Sequence, residues 1–281
     1  MVSNTLICHT ISIMKKTTSK VAQKTEIQML EILMNAINSK DAKLMEAYRA
    51  FHNYSLNNQL LAMWQCNSRD LPIGPINTYN GWKEKGRQVK SGEKAIALLM
   101  PITRKKEDKE GNEEVKFAGF IERRNWFVMS QTEGEAIENK IDIPEWNKDK
   151  VLNEFGIKMI PFELMRGNTQ GYSMVNSKEI AINPLAQLPI KTFIHEVAHN
   201  VFHNGKDCEL STEHKEVEAE SIALLVLECL GLEGGEYARG YIQNWLKDKN
   251  EFTETWAKQI ITKANKILKA GLPEKEKVKA D

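Results

Sequence analysis

His195-Glu196-Val197-Ala198-His199 is the stretch that leaves this chain the fewest options. On a helix, residues four apart lie one above the other, so His195 and His199 can grip one metal ion. Glu196 projects beside that face, close enough to take a proton from a metal-bound water without being a ligand. The flanking Phe193, Ile194, Val197, Ala198, Val201 and Phe202 are apolar, as in a helix buried in a core, and Gly205 follows as a stop. The pattern alone also fits a packing helix with two core histidines and a solvated glutamate. A third ligand separates the two readings.

The segment from Glu216 to Ala223 opens an apolar run to Leu230, and its helix is expected to start near Ser211 or Thr212 and stop at Gly231. Glu216 and Glu220 are four apart and face one way, while Ala219 and Ala223 allow a neighbouring helix to approach closely. Carboxylates aimed into an apolar interface are costly unless paired or metal-bound. A solvated acidic face is the ordinary alternative, but Ile222, Leu224, Leu225, Val226 and Leu227 leave little face to solvate. Two histidines, one glutamate and a water form a known catalytic zinc set. Glu218 points to another side, His203 falls further along its helix than a ligand should, and His214 reads as exposed.

His-Glu-Val-Ala-His followed by Glu-x-x-Ala-Glu resembles the gluzincin-type metallopeptidases, including the ImmA/IrrE-like group. The resemblance implies one zinc ion held by His195, His199 and Glu216, with Glu220 behind them orienting a ligand histidine. It also implies that Glu196 takes the proton of a zinc-activated water and returns it to the leaving amine.

A chain of 281 residues has room for two domains, and 41% hydrophobic with 27% charged residues is ordinary globular composition. The net charge of +1 is uninformative, but its distribution is not. Lys83, Lys85, Arg87, Lys90, Lys94, Arg104, Lys105 and Lys106 face only Glu84 and Glu93 within their stretch. Between Asp207 and Glu236, Lys215 is the lone cation among acidic residues. Two different tasks are expected of the two halves. Cys8, Cys66, Cys208 and Cys229 form no Cys-x-x-Cys pair, so a reducing cytoplasm is the default expectation. No apolar run is long enough for a membrane span. Residues 1–21 lack the build of a secretory leader and read as a disordered extension.

Amphipathic helices are expected from Val21 to Ser39, with Ile27, Leu30, Met34 and Ile37 at helical spacing, and after Asp41, carrying Leu44, Tyr48 and Phe51. Ser55 suits the N-cap of a third helix, where Asn57 and Asn58 beside Tyr54 fit either capping or contact. After a Pro- and Gly-rich loop, residues 78–94 interleave Tyr79 and Trp82 with Lys83, Arg87, Lys90 and Lys94. A strand is expected from Ala95 to Pro101, a mobile charged loop from Arg104 to Glu114, and strands at Val115–Ile121 and Asn125–Ser130. Aromatics stack on bases while cations meet phosphates, the chemistry that holds single-stranded nucleic acid. Composition alone fits core aromatics and solvated lysines at least as well.

Tyr-Ser-x-Asn-Asn-Gln, Gly-Trp near Gly-Arg-x-Val, and Lys-x-Gly-Glu-Lys-Ala-Ile resemble the N-terminal domain of ArdC-type antirestriction proteins. The resemblance implies a single-stranded-DNA-binding domain, with Tyr54, Asn57, Asn58, Tyr79, Trp82, Lys83, Arg87, Lys90 and Lys94 as contacts. It further implies a C-terminal zincin-like domain, an unidentified protein or peptide substrate, and a mobile element as source. The Trp-rich start usual in that family is not obvious here. The expected fold class is α+β, with residues 22–132 binding DNA, 133–150 a linker, 151–270 the metallopeptidase domain and 271–281 a disordered tail.

Gly171–Ser173 and Glu179–Asn183 read as a hairpin ahead of the metal helix, serving either as scaffold or as the edge that pairs with an extended peptide. Tyr241 and Trp245 share one face of a later helix, where Tyr241 fits either a core position or a group polarising a scissile carbonyl. Phe252, Trp256, Ile260, Ala264, Ile267 and Leu268 form a closing amphipathic helix. Two alternatives to proteolysis stay open: a DNA-coating protein whose zinc is structural, and a metal-free packing helix.

Overall fold

The computed structural model describes residues 29–39, 43–51, 53–107, 113–137, 145–163, 168–204, 210–248 and 252–273. The expectations for residues 1–21, for Ile27, for Gly205 and for the tail beyond Pro273 lie outside them.

Three helices open the described chain: α1 over residues 29–38, α2 over Leu44–Phe51 and α3 over Leu56–Asn67. The face α1 buries is Met29, Ile32, Leu33, Ala36 and Ile37, so Leu30 and Met34 sit on its margin rather than at its centre. Leu44, Ala47, Tyr48 and Phe51 are the buried stripe of α2, at the spacing of one helical face. Ser55 caps α3 by accepting from the Asn58 amide.

An antiparallel sheet follows, in the order β1 (Ile76–Thr78), β4 (Glu113–Val128), β3 (Ile96–Glu107). Helix α4 (Tyr79–Glu84) leaves β1, and β2 (Arg87–Val89) pairs antiparallel with β5 (Thr132–Gly134) in a second, two-stranded sheet. The charged connection expected from Arg104 to Glu114 is strand at its described residues, Arg104–Glu107 and Glu113–Glu114, and the two strands expected after it are one. Thr103 to Glu107 pairs with Phe117 to Glu113, and the ladder runs on through Glu122, Arg123 and Arg124. Charged residues resemble a loop in composition, but an antiparallel hairpin with a solvated face accepts them. The outer edge of β3 is closed by helix α3. Asn58 bonds both the N–H and the C=O of Leu99 at 2.8 and 2.9 Å, and Gln65 does the same for Ala97 at 2.9 and 2.8 Å. Two side-chain amides thus stand in for a neighbouring strand, which protects an edge that would otherwise pair with another chain.

In the C-terminal half, α5 (Lys148–Phe155) precedes a small sheet ordered β6 (Lys158–Met159), β8 (Glu179–Ile182), β7 (Gly171–Met174). The expected hairpin is β7–β8, antiparallel, with Gly171 opposite Ile182. Helix α6 (Pro189–Phe202) lies on it, followed by α7 (Thr212–Leu230), α8 (Gly235–Asp248) and α9 (Glu254–Ala270). Helix α7 ends as its sequence signals: Ser211 accepts from the His214 amide, and Gly231 takes the left-handed C-cap at φ 66°. Every residue from Val217 to Leu227 of α7 is buried, so this helix is the axis of the core. α2, α6, α8 and α9 surround it. One buried cluster runs from Met29 to Leu268. Arg239 and Gln243 of α8 donate to the carbonyls of Ala36 and Ile37, and the Leu56 amide donates to Asn265 of α9.

Candidate metal centre

α6 begins with Pro189 in its first turn and carries His195 and His199 one turn apart. β7 presses against it at Gly171, where a Cβ would lie 2.7 Å from Thr192 Cγ2 and 3.2 Å from Glu196 Cγ. α7 crosses behind and presents Glu216. The Nε2 atoms of His195 and His199 are 3.0 Å apart, and Glu216 lies 3.3 Å from the first and 3.2 Å from the second. Ligands at 2.0–2.1 Å around a tetrahedral ion are separated by about 3.3 Å, so the three donors span one face of such a shell. His195, His199 and Glu216 form the only group of potential metal donors among the described residues, with ligand atoms all within 4.8 Å of one another.

Electrostatics agrees with that fit. Burial pulls the His195 ring down, but Glu216 and Glu220 outweigh it and raise its pKa to about 9. His195 and His199 beside Glu216 hold its carboxyl well below the usual carboxylate range. The cluster thus draws positive charge to the point where the donors converge. Glu220 sits with Oε1 3.2 Å from His195 Nδ1, within ion-pair range though off hydrogen-bond alignment, and 2.6 Å from Lys191 Nζ. Burial pushes Glu220 up, and His195 and Lys191 bring it below the ordinary value. Glu196 is buried and raised, by burial first, with His195 and His199 opposing. A cleft of about 700 Å³ opens over these groups, walled by Gly171, Tyr172, Ser173, Lys191 and Tyr237.

Several residues fall elsewhere than expected. Tyr237, not Tyr241, stands along the cleft; Tyr241 is nearly half exposed on α8, its pKa raised by burial and then by Glu216 and Glu220. His214 is half-buried, packed between Trp245 and Trp256 rather than exposed. Lys191, which sequence reasoning passed over, was marked by its place one turn before His195 on the ligand face. Glu218, set aside as misdirected, is fully buried on the far side of α7. There it meets His203, Trp256 and Lys263. Burial alone would push Glu218 up, but these three partners bring it down to about 2.

The residues expected to touch DNA divide into two groups. Trp82 is 1% exposed, its indole N–H donating to the Phe127 carbonyl, and Asn58 is held against β3. Neither presents a face to a ligand, because each satisfies the backbone of the sheet. Tyr54 and Asn57 are half-buried. Arg87 braces β2 against β5 through Thr132, and Lys90 donates to the Ser130 carbonyl. Tyr79, Lys83 and Lys94 are exposed. Missed altogether were Phe117 and Phe120 of β4, 62% and 57% exposed, with ring centroids 5.1 Å apart. Two phenylalanines within a charged stretch were their signal.

Residues 12–140 match the family model for the N-terminal domain of anti-restriction factor ArdC. Over those residues the chain is similar to the ArdC N-terminal domain. The metal-free crystal structure of antirestriction ArdC protein from the R388 plasmid has the same fold, at TM-score 0.55 and 18% identity over 88% of this chain and 95% of that one. The Mn(II)-bound structure of that protein superposes at TM-score 0.51 and 18% identity, covering 86% of this chain and 96% of that one. No curated protein matches the sequence. Among the described residues, no helix is long and apolar enough to cross a membrane.

Proposed function

We propose that this chain is an antirestriction protein of a mobile element that binds single-stranded DNA and carries a zinc-dependent peptidase site. The convergence of His195, His199 and Glu216 beside Glu196 is the observation that carries the peptidase reading. A divalent ion in the R388 protein supports a metal here, and the His-His-Glu donor set favours zinc. The DNA reading draws support from the family match and from a groove of about 900 Å³ along the larger sheet. Thr78, Met100, Ile121, Arg123 and Trp126 line it. Exposed Tyr79, Phe117 and Phe120 offer stacking surfaces, and Lys83, Lys94, Arg123 and Arg124 offer cations.

His195, His199 and Glu216 would hold the zinc, which would supply Lewis acidity toward a water and a carbonyl. Glu196, its basicity raised by burial, takes a proton from the attacking water and passes it to the amine nitrogen as the C–N bond breaks. Glu220, itself held by Lys191, stands behind His195. β7, the edge of its sheet, borders the cleft where an extended peptide can add as a further strand.

The test pairs a labelled single-stranded oligonucleotide with its duplex across a salt series, using parent chain and Glu196→Gln. Tighter single-strand binding with a steep salt slope is expected of both. Both should retain one zinc by metal analysis, whereas cleavage of labelled casein in the presence of single-stranded DNA should be confined to the parent. Equal affinity for duplex would remove the DNA reading, and undiminished cleavage by Glu196→Gln would remove the peptidase mechanism.

A further inference from the structure

We propose that Glu218 and His203 act as a buried relay that sets the ring tautomer of His199, and so present its Nε2 lone pair to the metal. The inference rests on the metal reading above and deepens it. His199 Nδ1 is 2.8 Å from His203 Nδ1, and His203 Nε2 is 3.0 Å from Glu218 Oε1. Trp256 donates its indole N–H to Glu218 Oε2 at 2.7 Å, and Lys263 donates to Oε1.

With the metal taking the His199 Nε2 lone pair, the donor and acceptor inventory gives the relay one proton order. Tryptophan and lysine only donate, so both Glu218 oxygens accept and the carboxyl is ionised. His203 Nε2, facing an ionised carboxylate, therefore carries a hydrogen. Lys263 and Trp256 also engage the Glu218 carboxylate, and a neutral His203 that donates from Nε2 has a bare Nδ1. A bare Nδ1 at 2.8 Å accepts from His199, whose Nδ1 then carries the hydrogen and whose Nε2 is free to ligate. The reverse orientation would place a hydrogen on His199 Nε2, where the metal binds.

The arrangement is sealed from water, Glu218 being 0% and His203 8% exposed. It draws on three helices: α7 supplies the carboxylate, α9 the two donors, and His203 stands at the C-cap of α6. The two ligand histidines are thus held differently. At Nδ1, His195 meets a carboxylate directly, whereas His199 meets one through a second imidazole. His203 is a positioning residue, and Glu218 acts through it.

Long-range proton–nitrogen correlation on the full chain loaded with Zn(II) reads the tautomers directly. The expected spectrum has His203 neutral and protonated at Nε2, with His199 protonated at Nδ1. A His203 ring protonated at Nδ1 overturns the relay. In chelator competition, His203→Leu should bind Zn(II) about 10- to 100-fold more weakly than the parent, while His203→Gln stays within about three-fold. The glutamine amide can accept from His199 and donate to Glu218, which leucine cannot. A folded His203→Leu with parental affinity overturns the proposal. If that variant does not fold, the parent's tautomers decide. Failure of the parent to take up Zn(II) would instead overturn the metal reading itself, a different outcome from uptake with the wrong tautomer.

Discussion

Asn58 sits 41 positions before Leu99 and bonds both of its backbone groups, a role visible only once β3 lies against α3. Replacing it by leucine leaves a buried N–H and C=O without partners, so Asn58→Leu should cost about 1–3 kcal/mol in urea unfolding. Zinc affinity should not change, since Asn58 touches nothing near the metal centre. Asn200 plays a comparable part, donating from α6 to Ser173 Oγ and to the carbonyls of Met174 and Glu179. At this scale the candidate donors were legible: spacing four on a helix placed His195 with His199 and Glu216 with Glu220. The polar residues that support them were not, because a buried His203 or Glu218 is defined by partners on other helices.

Helices announced themselves more clearly than strands. α7 was bounded to within a residue by Ser211 and Gly231, since caps are local hydrogen-bond chemistry. β4 was broken in two at Glu122–Arg124 because a solvated strand face has no apolar period to read. The contact of β7 with α6 is narrow enough to test. Gly171→Val should push the strand off Thr192 and Glu196, lowering the melting temperature and any cleavage rate. Chelator competition should still find near-parental zinc affinity, because no ligand sits on β7. Cys66 in α3 and Cys229 in α7 report on the same packing. Burial pushes the Cys66 thiol up to about 11 and raises Cys229 further. At pH 8 both therefore stay overwhelmingly protonated, and iodoacetamide mapping by mass spectrometry should find them unlabelled until the chain unfolds.

Across the whole molecule, the helices before the larger sheet and those around the candidate metal centre share one core. α2 packs on α7 and α3 on α9, with Arg239, Gln243 and Asn265 bonding backbone groups in the first segment. A fragment beginning at Glu145 loses those partners and exposes the apolar flank of α7. It should lack the cooperative thermal transition of the full chain, as circular dichroism would record; a sharp melt near the parental temperature would contradict this. The sequence by itself determined the longer helices, though not α4 or α5, and the face that carries His195 and His199. Each of these rests on residues a few positions apart, whose geometry is set by the helical repeat and by caps. Only the tertiary structure decided that Trp82 and Asn58 serve the sheet, that Phe117 and Phe120 stand in solvent, and that Lys263 reaches Glu218 across 45 residues. Burial and partner choice arise from surfaces brought together by folding, and no local period encodes which surface meets which.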